Sequence, residues 1–228
     1  MTQSIRKFHL ANAGVFEKLP LKERIELEAG MLRKKAKKGK LIYREGSFPK
    51  GVYILQKGKV KIFQTTGDGR EQILYIYSAG DMMGYRPLIS NESHPVSAVA
   101  LEECAFQFIP KEKFLHLLAN SHELARILLI SLSREFSVWV NNITVFAQQP
   151  VKVRVAIGLL VLQEKFRVKG KVGEINLSRD DFAGYLGTVK ETLVRVLQEF
   201  KKKGYVETQG RKIRILNQAA LAEIANYQ

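Results

Sequence analysis

The chain has one cysteine, Cys104, in 228 residues. That excludes an intrachain disulfide framework, a Cys-rich zinc site and a Cys-ligated iron–sulfur cluster, and it fits a reducing cytoplasm. Histidine is scarce as well. His9, His94, His116 and His122 show no metal-ligand spacing on strands, so a metal-dependent oxygenase of the cupin-like kind has no clustered ligands. No metal site and no catalytic set are expected, and the chain reads as a non-enzyme. Long apolar runs are missing too. The N-terminal stretch MTQSIRKFHLANAGVFEKL has no continuous apolar segment of the signal-peptide kind, and no run reaches membrane-span length. A soluble cytoplasmic protein without membrane contact is the expectation.

Acidic residues are in deficit: 22 Asp and Glu face 37 Lys and Arg, a net charge of +15. The excess is uneven. Residues 1–150 hold 22 basic and 14 acidic side chains, whereas the much shorter 151–228 holds 15 and 8, so basic density is higher toward the C-terminus. Such a bias points to a polyanionic partner, double-stranded nucleic acid above all.

Between Gly39 and Gly84 the glycines at 39, 46, 51, 58, 67, 69, 80 and 84 punctuate short β-rich runs, LIYRE, GVYILQ, KVKIFQ and QILYIY. This spacing predicts a small antiparallel β-structure that continues through VSAVALEECAFQFIP. TTGDGRE reads as a hairpin turn, with Gly67 and Gly69 free to take positive φ. Past Pro110 the period turns helical, first in KEKFLHLLANS and then from Ser121 to about Phe146 without Gly or Pro. Leu129, Leu132, Phe136, Trp139, Ile143 and Phe146 recur at alternating three- and four-residue spacing, the seam of a helix pair, which predicts a homodimer; a helix lying on the β-structure shows a similar stripe. Gln148-Gln149-Pro150 breaks that helix. The fold class is therefore α+β: an N-terminal antiparallel β-roll over 1–120, a long dimerisation helix over 121–149 and a C-terminal winged helix-turn-helix over 150–228.

Within LSRDDFAGYLGTVKETLVRVLQEFKKKGY, Ser178 and Asp181 form a capping-box pattern that starts a helix at Arg179; Gly187 ends it, and Thr188 with Glu191 repeats the pattern. Two helices across a tight glycine turn are the helix-turn-helix signature. In the second, Leu193, Val196, Leu197 and Phe200 form a buried face, leaving Lys190, Glu191, Val194, Arg195, Gln198 and Lys201 outward, the first four near the end that enters a major groove. Lys or Arg donates to guanine and Glu accepts from cytosine. The competing reading is a Glu191–Arg195 surface pair beside a solvated lysine end. YVETQGRKIRILN follows as a hairpin turning at Gln209 and Gly210, a wing that offers Arg211 and Lys212 to phosphates. RKKAKKGK, from Arg33 to Lys40, precedes the first strand and reads as a solvated face, with contact to flanking DNA as the alternative.

Taken together, YREGSFPKGVYILQKGKVKI, YSAGDMMG and the helix-turn-helix run resemble the Crp/Fnr superfamily of bacterial transcription regulators across nearly the whole chain. The resemblance implies a homodimer joined along the long helix, a sensor domain, winged helices that read a two-fold symmetric DNA site, and contact with RNA polymerase. On the motif G-x-x-[RK]-E-T-x-x-R it places base reading on Lys190, Glu191 and Arg195; Lys cannot reproduce the bidentate fork of the usual Arg at the first position, which shifts the expected preference there. Ser178, Thr188, Val194, Arg211 and Lys212 complete the expected DNA-binding set. The sensor region departs from the cyclic-AMP-binding members. In GDMMGYRPLISNESHPVSAVA, Tyr85 replaces the ribose-binding Glu, and His94-Pro95 stands where the phosphate-holding Arg-Ser would be. Arg86 is a displaced cation, and the long helix offers Trp139 and Val140 where those members carry hydroxyls. Cyclic AMP is not expected. An unknown small-molecule effector near Gly84, Tyr85, Arg86, His94, Trp139 and Val140 stays open, as does an effector-free regulator. Haem has ligands by type in His94, Met82 and Met83, which read more simply as a solvated loop histidine and packed methionines. A β-roll interaction module whose winged helix binds a protein is the alternative to DNA.

Overall fold

The computed structural model describes residues 7–10, 14–167 and 173–225. Two compact units divide the chain. One takes Leu10–Gln64 and Leu74–Phe136; the other takes Met1–His9, Thr65–Ile73 and Ser137–Gln228. Among the described residues no helix is long and apolar enough to cross a membrane.

The elements run α1 (Leu21–Ala29), β1 (Leu32–Ala36), β2 (Leu41–Tyr43), β3 (Gly51–Lys57), β4 (Val60–Thr65), β5 (Glu71–Tyr77), β6 (Met82–Met83), α2 (Arg86–Ser90), β7 (Ser97–Ala100), β8 (Cys104–Pro110), α3 (Lys111–Asn120) and α4 (His122–Gln148). The strands form two four-stranded sheets, ordered β1-β8-β3-β6 and β2-β7-β4-β5. Strand β3 shows why its sequence lacks clean alternation. Val52 and Ile54 pair with Ile109 and Met82 on the face under the helices, where Leu27, Phe114, Leu117, Leu124 and Leu128 join the same core. Its other face turns Tyr53 onto Phe108, ring centroids 4.7 Å apart. A strand covered on both sides reads as a nearly continuous apolar run. The basic run is not a prelude to the first strand: Arg33, Lys34 and Lys35 are β1 itself, paired with β8 from Leu32↔Phe108 to Ala36↔Cys104. Alternation lays Lys34 over the Phe108 ring, 3.2 Å from its centroid, while Arg33, Lys35, Lys37, Lys38 and Lys40 stay exposed.

The β4–β5 turn holds with Gly69 at φ 80, but Gly67 does not take positive φ. Asp68 supports the turn through its side chain, its carboxylate accepting from the Thr66 hydroxyl and from the Arg70 backbone N–H. Pro110 and Pro150 stand immediately before α3 and α5, and Ser121 caps α4, its Oγ accepting the Leu124 N–H at 2.9 Å.

After α4 come α5 (Val151–Lys165), β9 (Ile175–Asn176), α6 (Arg179–Leu186), α7 (Lys190–Lys202), β10 (Val206–Gln209), β11 (Lys212–Ile215) and α8 (Gln218–Ile224). Helix α5 is buried without a break from Val155 to Leu162, so it is the central post of its unit, with α6, α7 and α8 around it. Gly158 permits the crossing with α6, because a Cβ there would lie 2.5 Å from Leu186 Cδ2. The sheet is ordered β10-β11-β9, so the wing has a third strand beyond the hairpin legible in the sequence.

Candidate nucleic-acid interface and sensor site

Ser178 starts α6 as its spacing predicts: its Oγ accepts the Asp181 N–H at 3.0 Å, and the hydroxyl donates to the Asp181 carboxylate. Gly187 closes the helix at φ 60, with the Thr188 N–H bonded to the Ala183 carbonyl at 3.0 Å. A side chain at that φ is strained, so glycine is favoured. Thr188, however, does not cap the next helix. The N-cap of α7 is Val189, which makes no side-chain cap bond, because the Schellman-type turn uses Thr188 as its closing residue and shifts the start of α7 by one.

Helix α7 buries Leu193, Val196, Leu197 and Phe200 and exposes Lys190, Glu191, Arg195, Gln198 and Lys201; Val194 is half-buried. Among the described residues neither Glu191 nor Arg195 forms an ion pair, so the expected rival, a Glu191–Arg195 pair, is absent. Lys190 is different. Its Nζ sits 3.0 Å from Asp180 Oδ2 at the start of α6, an exposed pair that contributes little and exchanges readily for another acceptor.

The wing turns through Gly210 and Arg211, one residue later than expected, because Gln209 pairs with Lys212 and Gly210 takes φ 55. Arg211 and Lys212 are exposed. Three residues that the sequence did not single out set this geometry. Arg179 donates to the Gly210 carbonyl at 2.9 Å and the Arg211 carbonyl at 3.3 Å, tying the wing tip to the start of α6. Glu174 lies 3.0 Å from Lys212 Nζ and 2.8 Å from Arg214, and the Lys212 bond foremost holds the Glu174 carboxyl below its usual range. Arg154 Nη1 donates to the Leu186 and Gly187 carbonyls and so satisfies the C-terminal end of α6.

In the other unit the structure brings together Gly84, Tyr85, Arg86 and His94. Trp139 and Val140 fall in the C-terminal unit, Trp139 half-buried and Val140 exposed on the outside of α4. His94 is not the solvated loop residue its context suggests. It is 4% exposed and stacks on Tyr43, centroids 3.9 Å apart and planes 8° apart, and burial lowers its pKa to about 4. Met82 and Met83 pack in the core as expected. Arg86 donates from Nε to Glu135 Oε2 at 2.7 Å, and its Nη2 reaches the same oxygen. Burial pushes the hydroxyls of Tyr77 and Tyr85 upward, Tyr77 to about 12. The local cation thus already holds a carboxylate, and the His94 ring beside it stacks on Tyr43.

On α4 the residues Leu129, Phe136 and Ile143, seven apart, are 67%, 70% and 66% exposed, while Leu132, Trp139 and Phe146 are half-buried. One heptad line of the expected seam is therefore open to solvent in the single chain, flanked by exposed Ile130 and Val140.

The cyclic nucleotide-binding domain model matches residues 33–121, and the Crp-like helix-turn-helix domain model matches residues 153–224. The transcriptional activator protein Anr of Pseudomonas protegens is 30% identical over 83% of this chain and 78% of its own length. The fumarate and nitrate reduction regulatory protein of Escherichia coli K12 is 29% identical over 86% and 79%. Of solved structures, FixK2 from Bradyrhizobium japonicum has a TM-score of 0.78 at 24% identity, covering 87% of this chain and 98% of that one, a likeness of fold.

Proposed function

This chain belongs to the Crp/Fnr family of transcription regulators with a helix-turn-helix DNA-binding domain, and from that premise we propose that it acts as a cytoplasmic homodimer. The dimer reads a two-fold symmetric DNA site through α7 and answers to something other than cyclic AMP. The observation that carries the reading is the N-terminal half of α7: among the described residues, Glu191 and Arg195 stand exposed and without an ion pair, on a helix whose opposite face is buried. Charged groups that have no intramolecular partner and are fixed by packing are preorganised for base edges. Lys190 joins them by leaving Asp180. Arg211 and Lys212 on the wing supply phosphate contacts, which add affinity and salt dependence without sequence information. Association through Leu129, Phe136 and Ile143 covers the apolar line of α4, which is too regular and too exposed to suit a monomer. As a regulator of this family the protein meets RNA polymerase while bound to DNA.

Selection of random duplex DNA by the purified protein, at physiological salt and without added effector, tests the reading. A two-fold symmetric motif with half-sites about one helical turn apart is expected. Absence of enrichment, with no salt-dependent DNA affinity, would favour a winged helix that binds a protein instead.

A further inference from the structure

The inward stripe of α4 carries Leu124, Ile127, Leu128 and Ser131, and then one charged residue, Glu135, whose side chain is 2% exposed. A buried carboxylate is costly unless a cation and hydrogen bonds compensate it. Arg86 does so with two donors on one oxygen, from the first residue of α2. Around that pair, His94 lies against Tyr43, and Gly84 brings its backbone close enough that a Cβ would sit 3.7 Å from His94 Cε1 and from Tyr53 Cδ2. The cation of the sensor region thus faces an anion supplied by the long helix.

We propose that Glu135 is a tethered anion that satisfies Arg86 from within the chain and thereby fixes the rotation of α4, so that the dimer face is presented without an anionic effector. Glu135 precedes Phe136, and successive residues on a helix point about 100° apart, so locking one inward sets the other outward. Leu129 and Ile143 follow in phase. A soluble phosphate or carboxylate, cyclic AMP included, would have to displace Glu135 to reach Arg86, which makes the pair a specificity device against anions. Glu135 is a positioning residue. The consequence for the dimer rests on the α4 pairing proposed above, whereas the anion site itself does not.

The test uses the full chain with Glu135→Ala, and acetate as the probe, titrated against chloride at constant ionic strength. Melting temperature reads the anion site, sedimentation reads the dimer and anisotropy on a selected duplex reads DNA binding. Without acetate, the variant is expected to melt lower and to lose at least about tenfold in dimer and DNA affinity. Acetate should restore all three saturably where chloride does not, and Arg86→Ala should gain nothing from acetate. Should Glu135→Ala not fold, the isosteric Glu135→Gln carries the test through its dimer and DNA affinities, with the same loss expected. A variant that matches the wild type without acetate overturns the proposal. So does a folded Glu135→Ala whose loss acetate does not reverse, or a wild type that binds DNA only with an added anion. A wild type that selects no DNA or sediments as a monomer counts against the regulator reading alone, because acetate-dependent melting still decides the anion site.

Discussion

Arg154 Nη1 lies 2.6 Å from the carbonyl oxygen of Leu186, the last residue of α6. A guanidinium from the central helix thus satisfies the end of the first helix of the helix-turn-helix at the point where the chain must reverse. Removing it strands two carbonyl groups beside a positive-φ glycine. Arg154→Ala is expected to destabilise the C-terminal unit by about 1–3 kcal/mol, the range for hydrogen bonds from a charged donor. Denaturant unfolding measures this, and an unchanged midpoint would show that water replaces the guanidinium without loss.

Arg195 and Lys212 should separate under mutation. Arg195→Ala is expected to cost about 1–3 kcal/mol on the specific duplex and to blur one base position. Lys212→Ala should weaken specific and nonspecific duplexes alike and lower the salt slope by about one. Titrations on both duplexes at several salt concentrations resolve the two patterns; a uniform loss from both variants would remove Arg195 from base reading.

Phe136→Glu places a carboxylate in the middle of the open heptad line. A buried, unpaired charge is costly, so the variant should sediment as a monomer at concentrations where the wild type is dimeric. Its melting temperature should change little, because Phe136 is exposed in the single chain. A variant still dimeric would move the interface off α4.

Burial holds the His94 pKa at about 4 against an ordinary 6.5, so the folded state keeps the ring neutral where the unfolded chain protonates it. Its contribution is fully present above about pH 6.5 and is lost as pH falls toward 4, because the unfolded state binds more protons across that window. Thermal melts at about pH 7.5 and 4.5 should therefore differ more for the wild type than for His94→Phe, which keeps the stack on Tyr43 without the titration. Equal differences would mean that other groups set the acid response.

Much of the recognition unit was legible in the sequence because its determinants are local. Ser178 meets its partner three residues away, Gly187 needs only its own φ, and the spacing of Leu193, Val196, Leu197 and Phe200 defines a face. What escaped depends on distant partners. Arg154 and Leu186 are 32 residues apart, Arg179 and Gly210 are 31, and Glu174 and Arg214 are 40. A charged residue in a helix reads as solvent-facing until its partner is placed, and so Glu135, 49 residues from Arg86, carried no signal. His94 reads as a solvated loop residue for the same reason, since only the fold reveals that it turns inward onto Tyr43. Thr188 shows a finer limit: two capping patterns in succession cannot both operate when the first helix's closing turn consumes the second cap.

The half-buried condition of Leu132, Trp139 and Phe146 has a consequence for how the protein would respond to its own abundance. Only one line of the α4 seam is fully open, so a pair of helices joined there would have less apolar surface to hide than a full two-line seam, and their association would be correspondingly weaker. Where two copies must meet before a site is read and the pairing is not saturated, occupancy rises with the square of protein concentration rather than in proportion to it. A modest change in synthesis or degradation then becomes a steep change in promoter occupancy, with gene dosage acting as a signal in its own right.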